Sequence, residues 1–317
     1  MNISVFGAGA FGTALAVALA RDGRDVALWA RDPRDMQSRR ENRARLPGVT
    51  FPIALRITGD MTQADAPIIL LATPMQALAG FVGKHAAWLN GKTLVACCKG
   101  VDLKSGLGPA EIVQQACPDA QVSVLSGPGF AIDIARGLPT ALTLAGHDDT
   151  ARLQKIVSTD SLRLYRSEDV TGVELGGALK NIVAIAAGLA MGAGLGESAR
   201  AALLTRGFAE MNRFAVARGA RPETLAGLSG LGDLVLTATS AKSRNYAFGL
   251  ALGAGGDKAP PKGTTVEGMY TARAVARLAR KAGIDMPITN MVVAVLEGQL
   301  TLDQAREALL ARPLKKE

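Results

Sequence analysis

Ile3-Ser4-Val5-Phe6-Gly7-Ala8-Gly9-Ala10-Phe11-Gly12-Thr13 decides the fold of the first half of this chain. A short apolar run leads into glycines spaced G-x-G-x-x-G, and residues 13–21 continue at helical spacing. A strand, a glycine turn and a helix in that order form a dinucleotide-binding fingerprint. The first glycine permits the tight turn, the second lets a pyrophosphate approach the backbone, and the third lets helix pack on strand. The helix N-terminus then offers free N–H groups and a partial positive charge to phosphate. Gly7, Gly9 and Gly12 are the cofactor-binding candidates that follow.

Working outward, Val26–Trp29 and residues 68–73, 93–98, 122–125, 141–145 and 162–165 are further apolar runs, separated by helical patterns. Continuous apolar strands alternating with helices predict a mostly parallel, doubly wound sheet covered on both faces. From about Val170 the pattern turns helical, with Leu175, Leu179, Ile182, Ile185, Ala186 and Leu189 on helical spacing. Residues 201–218, 265–282, 288–297 and 301–310 continue it, and 253–263 reads as a Gly/Pro/Lys surface loop. The expected fold is α/β: a Rossmann-type domain over residues 1–172 and an all-helical domain over 173–317. A ligand is expected in the cleft between them.

The chain carries a formal charge of +8, which suits nucleic acid, an anionic surface or phosphate-bearing small molecules. With aromatics at 4% and no zinc-finger or stacking motif, a nucleic-acid partner is not expected. Cys97, Cys98 and Cys117 show no C-x-x-C spacing and lie far from His85 and His147, so neither a metal nor a disulfide framework is expected. Reduced core thiols in a cytosolic protein are the reading. No signal-like start and no uninterrupted apolar run of membrane-spanning length is seen, so the protein is expected to be cytoplasmic, without integral membrane association.

The end of the second strand bears on the nicotinamide cofactor. An acidic residue there reads a ribose 2′-hydroxyl, whereas an arginine accommodates a 2′-phosphate. The sequence is Trp29-Ala30-Arg31-Asp32: Arg31 favours NADP (as NADPH), and Asp32 leaves NAD possible. Lys99 follows a strand, at the sheet edge where such folds hold ligands. Ser126-Gly127-Pro128-Gly129-Phe130-Ala131 ends the next strand in a small-residue loop. Lys180 sits among Gly176, Gly177, Leu179 and Ile182 in an apolar helix. Two glycines inside a helix cost ~1 kcal/mol each against alanine and point to a close approach by a ligand or another backbone. A lysine there is desolvated, which lowers its pKa and suits it to taking the proton of a substrate hydroxyl. A phosphate on the substrate needs a clamp, and Arg244 has the planar fork for it, with Ser243 and Asn245 beside it.

Taken in order, these motifs resemble the bacterial NAD(P)-dependent glycerol-3-phosphate dehydrogenases. The resemblance runs nearly end to end: GAGAFGTALA, LPG, CCKG, SGPGFA, GLPTA, GVELGGALKN, TRGFAEM, GLGDLVLT, SRN, VEG and MPIT. It implies interconversion of sn-glycerol 3-phosphate and dihydroxyacetone phosphate, supplying the former for glycerophospholipid synthesis, in a cytoplasmic homodimer. It also implies roles by position. Phe11 and Arg31 line the adenine and ribose side of the cofactor. Lys99 touches both cofactor and substrate, Gly127 and Gly129 offer backbone to the substrate, and Ala131 meets the cofactor. Lys180 matches the proton acceptor. Asp233, Ser243, Arg244 and Asn245 match substrate positions, with Arg244 also near the cofactor, and Glu267 matches a cofactor contact. Gly129 departs from the usual Ser or Thr, and Ser198 stands where Asn is common. Two other readings are a hydroxy-acid or ketopantoate reductase of similar build and a non-catalytic NADPH-binding regulator. The SRN clamp with GLGDLVLT argues against the first, and the retention of both Lys99 and Lys180 against the second.

Overall fold

The computed structural model describes residues 2–147, 149–261, 263–301, 304, 305 and 307. The first half runs β1 (Ile3–Phe6), α1 (Ala10–Arg21), β2 (Val26–Trp29), α2 (Arg34–Arg39), β3 (Glu41–Asn42), β4 (Leu46–Thr50), β5 (Arg56–Thr58) and β6 (Ile68–Leu71). It continues through α3 (Met75–Lys84), α4 (Ala86–Leu89), β7 (Thr93–Ala96), α5 (Pro109–Ala116), β8 (Gln121–Ser126), α6 (Ala131–Ala135), β9 (Thr140–Gly146), α7 (Thr150–Val157) and β10 (Leu162–Ser167). Eight strands form one sheet in the order β10-β9-β8-β7-β6-β1-β2-β5. Neighbours are parallel except β8 and β9, which pair antiparallel. β1, β6 and β7 are buried along most of their length, so both sheet faces must be covered. One face packs Leu15 and Leu19 of α1, Ile134 of α6 and Val157 of α7. The other packs Met75 and Leu78 of α3, Leu89 of α4 and Val113 of α5.

The sequence reading of seven strands holds, with ends shifted by up to two residues. It missed β3, β4 and β5. The first two form a separate antiparallel ribbon, and β5 is a three-residue edge strand with a partly exposed, polar sequence. The antiparallel β8–β9 step was not expected either. It follows from the short α6 connection, which turns the chain back beside β8.

After β10 the chain is helical: α8 (Val170–Gly192), α9 (Gly196–Val216), α10 (Pro222–Ala226), a π-helical turn at Leu228–Gly232, α11 (Asp233–Ala238), α12 (Arg244–Gly253), α13 (Glu267–Ala282) and α14 (Pro287–Leu296). α8 is the axis of this half. Leu179, Ile182, Ile185 and Leu189 meet Phe214 of α9, Leu234 of α11, Tyr246 and Phe248 of α12, Val275 of α13 and Val292 of α14 in one core. By length and composition α8 is apolar enough to cross a membrane, but 89% of that stretch is buried inside the fold. It is all-round hydrophobic because it is surrounded by protein. The expected helix over 301–310 lies mostly outside the described residues.

Candidate active site

β1 pairs with β2 on one side and β6 on the other, and the chain leaves β1 in opposite directions along the sheet. The crevice at the carboxyl ends of these strands is where an open α/β sheet takes a ligand. The glycine loop lies over it. Gly7 has a φ of +114°, and a Cβ there would come within 2.6 Å of the Ala72 carbonyl. A Cβ on Gly12 would stand 2.1 Å from the Gly7 carbonyl. At Gly9 the same direction is open, with nothing within 4 Å. The loop is thus closed toward the sheet and open toward a ligand. The Gly7 N–H donates to the Trp29 carbonyl at 3.2 Å, and the Asn42 amide donates to the Ala8 carbonyl at 2.9 Å and to Thr13 Oγ1 at 2.8 Å. No side chain caps the start of α1, so its first N–H groups face the open side. These residues fit a dinucleotide pyrophosphate.

Two consecutive strand ends carry the expected residues toward α8: Lys99 after β7, and Ser126 and Gly127 at the end of β8. Lys99 Nζ donates to the Gly127 carbonyl at 2.8 Å and to Asp233 Oδ2 at 2.6 Å, and lies 5.8 Å from the Phe11 ring centre. Lys180 Nζ donates to the other oxygen, Asp233 Oδ1, at 2.5 Å and to Thr237 Oγ1 at 2.7 Å. Asp233 therefore bridges two lysines, and its side chain is 2% exposed.

Local sequence explains the convergence. A Cβ on Gly176 would fall 2.7 Å from the Ser229 carbonyl, so glycine lets the π-helical turn press onto α8 and deliver Asp233 at its end. A Cβ on Gly177 would fall 2.3 Å from Ser126 Oγ and 3.5 Å from the Lys99 stem. The approach expected of these two glycines is thus by protein: the turn, the end of β8 and the lysine stem. Burial dominates the Lys180 amine. It brings the pKa from 10.5 down to about 7, with Lys99 pushing the same way and Asp233 opposing.

At the far side of α8, Ser243 caps α12, its Oγ accepting from the Tyr246 N–H at 3.2 Å. The Arg244 side chain, in the next position, is partly exposed and forms no hydrogen bond or ion pair among the described residues. Its guanidinium pKa is lowered by desolvation against the pull of Glu267. Asn245 is turned inward: it donates to Asn181 Oδ1 at 2.9 Å and accepts from the Gly268 N–H at 3.0 Å, tying α8, α12 and α13 together. Glu267 accepts from the Met75 N–H at 3.1 Å through one oxygen, while its other oxygen, Oε2, is buried with no hydrogen-bond partner among the described residues. A buried orphan acceptor at the glycine-loop crevice suits a ligand's hydroxyl or amide.

Ala131 opens α6 beyond the Gly127–Gly129 loop. At Gly129 the space a side chain would occupy is taken from behind by Ile134 and Thr140 methyl groups, each 3.1 Å away. Ser198 is exposed in the first turn of α9. Arg31 and Asp32 lie at the open end of β2. The cysteines are buried and unpaired, and desolvation pushes the Cys97 thiol up to about 12, so it is inert. His85 packs on Phe81 in an aromatic cluster with Phe6, Trp29 and Trp88.

Sequence reasoning missed Thr237 and Asn181. Thr237 lies four residues after Asp233 on α11, so one helical turn brings both to Lys180; that spacing was available in the sequence. Asn181 carried no signal beyond its place next to Lys180.

The chain matches the family described as NAD-dependent glycerol-3-phosphate dehydrogenase, the N-terminal part over residues 2–152 and the C-terminal part over 169–307. A glycerol-3-phosphate dehydrogenase [NAD(P)+] of Paracoccus denitrificans is 57% identical over 100% of both chains. One of Cereibacter sphaeroides is 58% identical over 99% of this chain and 100% of its own. The crystal structure of glycerol-3-phosphate dehydrogenase from Coxiella burnetii is 38% identical, with a TM-score of 0.94 over 98% of this chain and 99% of that one. Motif order, fold and site geometry agree with these likenesses, and this chain belongs to the NAD-dependent glycerol-3-phosphate dehydrogenase family.

Proposed function

We propose that this protein interconverts sn-glycerol 3-phosphate and dihydroxyacetone phosphate with NADP or NAD, and so supplies glycerol 3-phosphate for glycerophospholipid synthesis in the cytoplasm. The observation that carries the reading is the Lys99–Asp233–Lys180 bridge at the carboxyl ends of the strands, with Asp233 and Lys180 buried in it. The nicotinamide cofactor supplies a hydride acceptor or donor when bound. The chain's own residues do the rest.

Lys180, with a pKa near 7, is divided between amine and ammonium at neutral pH. As the amine it takes the proton of the substrate hydroxyl; as the ammonium it gives that proton back to the carbonyl oxygen. Asp233 fixes the Nζ position and keeps the ammonium from being lost altogether. Thr237 holds the same nitrogen from the other side. Lys99 donates to the Gly127 carbonyl beside it and is placed to donate to the substrate oxygen that gathers charge. Arg244, whose guanidinium forms no side-chain hydrogen bond or ion pair among the described residues, presents it to the substrate phosphate, with Ser243 at its base and Asn245 holding the helices in register. Gly7, Gly9 and Gly12 receive the pyrophosphate, and Phe11, Arg31, Ala131 and Glu267 flank the rest of the cofactor. Gly127 and Gly129 offer only backbone to the substrate. The division into a cofactor half over 1–172 and a substrate half over 173–317 follows from this assignment, and a homodimer is the expected assembly.

The test is NADPH oxidation with dihydroxyacetone phosphate against dihydroxyacetone. The reading expects turnover only with the phosphorylated ketone. Equal turnover of both, or none with either cofactor in a protein that binds NADPH, overturns it.

A further inference from the structure

We propose that Arg34 sets the cofactor preference of this chain: its guanidinium holds Asp32 away from the ribose 2′ position and joins Arg31 there as a second cation for a 2′-phosphate, so that NADPH is taken ahead of NADH. The inference rests on the dinucleotide reading of the glycine loop and not on the identity of the substrate.

The position is fixed by backbone. The Trp29 carbonyl at the end of β2 accepts from the Gly7 N–H at 3.2 Å, so Arg31 lies two residues beyond the point where strand and glycine loop touch. The Ala30 N–H donates to the Thr58 carbonyl at 3.0 Å and the Trp29 indole to the Gly59 carbonyl at 3.1 Å, which holds residues 29–33 against the β5 edge. Asp32 stands about 20 residues beyond the last glycine of the motif, where a carboxylate reads a ribose 2′-hydroxyl. Its oxygens are already taken. Arg34 Nε donates to Oδ1 at 2.8 Å, Nη2 to Oδ2 at 2.6 Å, and the Arg34 backbone N–H to Oδ1 at 3.3 Å. The fork occupies the carboxylate through both oxygens. The next acid, Asp35, is held in turn by Arg39 at 2.6 Å. Arg31 forms no hydrogen bond or ion pair among the described residues.

The charge at this edge follows. Arg31, Asp32 and Arg34 together carry one net positive charge, whereas without Arg34 the pair Arg31 and Asp32 would carry none. Hydrogen bonds from Arg34 hold the Asp32 carboxyl down to about 2, and it stays well below neutrality in any case, so removing Arg34 frees a carboxylate. The ion pair is open to solvent, with the Arg34 side chain 86% exposed. Exposed pairs are weak, so the guanidinium turns readily from carboxylate to phosphate, which it binds with the same fork. A ribose hydroxyl offers no such exchange.

The experiment titrates NADPH and NADH, without substrate, by quenching of tryptophan fluorescence. It uses the full-length protein, Arg34→Ala, and Arg34→Ala combined with Asp32→Asn. Arg34→Ala is expected to lower the ratio of NADPH to NADH affinity about tenfold, weakening the first and strengthening the second. Adding Asp32→Asn is expected to abolish the gain on NADH and leave the loss on NADPH. An affinity ratio within threefold of the parent, or equal losses on both cofactors, overturns the proposal. Because binding is read alone, a protein that shows the switch but does not turn over dihydroxyacetone phosphate fails the proposed function and not this inference.

Discussion

Replacing Lys180 by methionine abolishes the proposed base, and the structure also makes it a stabilising change. The Lys180 ammonium has a pKa of 10.5 in water and about 7 in the fold, a difference of ~3.5 that corresponds to ~5 kcal/mol at ~1.36 kcal/mol per unit. The folded-state pKa is the lower one, so between about 7 and 10.5 the unfolded chain binds the extra proton. Stability therefore rises with pH across that window, by ~1.4 kcal/mol per unit, and the full penalty is present below it. Methionine fills a similar volume without charge and leaves Asp233 paired with Lys99. Thr237 Oγ1 and Asp233 Oδ1 each lose the Lys180 donor, at a cost of ~1 kcal/mol apiece. Lys180→Met is thus expected to be more stable than the parent by ~3 kcal/mol at pH 6, and to lose that advantage by pH 10. Urea unfolding followed by tryptophan fluorescence at pH 6, 8 and 10 measures it. Parallel pH dependences for the two proteins would show that Lys180 carries no burial penalty.

Gly12→Ala puts a Cβ 2.1 Å from the Gly7 carbonyl and 2.8 Å from the Ala72 methyl. It is expected to cost ~2–3 kcal/mol and to abolish NADPH binding, which thermal melts with and without cofactor would read. Glu174 on α8 accepts from the Ala110 N–H at 2.5 Å, and burial raises its carboxyl from 4.5 to about 7. The folded chain then holds the extra proton, so stability is greatest below 4.5 and is lost as pH rises through about 7; Glu174→Gln should flatten that slope in unfolding curves. The proposed Arg244 contact to the substrate phosphate is charge-assisted and worth ~2–3 kcal/mol, so Arg244→Ala should lower kcat/KM for dihydroxyacetone phosphate roughly 30- to 150-fold, read from initial rates of NADPH oxidation.

The sequence was most legible where one local signal determines the structure. Ile3–Phe6 and Val26–Trp29 are apolar runs flanked by breakers, and the strands coincide with them. α8 is legible as a long run of apolar and small residues with leucine and isoleucine at helical spacing, and Lys180 as the one charge in its middle. β4 contains Pro47 and Gly48, residues that sequence rules assign to turns, and becomes a strand only because β3 is beside it. The π-helical turn at Leu228–Gly232 likewise depends on α8 offering glycine at position 176. The meeting of Lys99, Asp233 and Lys180 is a tertiary event between residues as many as 134 apart, which no spacing rule reaches; only the family resemblance put them together in advance. Asn245 differs: its motif places it beside Arg244 as a substrate contact, and the fold adds a task that the motif does not announce, since its side chain ties three helices together.

In the proposed reaction Lys180 moves the substrate proton. The direct measurement is the single-turnover rate of NADPH oxidation by dihydroxyacetone phosphate in Lys180→Ala, at saturating cofactor and ketone, beside the parent protein. General acid–base catalysis is worth ~10²- to 10⁴-fold, so the account predicts a loss of that size with NADPH affinity unchanged. A variant within tenfold of the parent rate would contradict it, and the proton would have to come from another group.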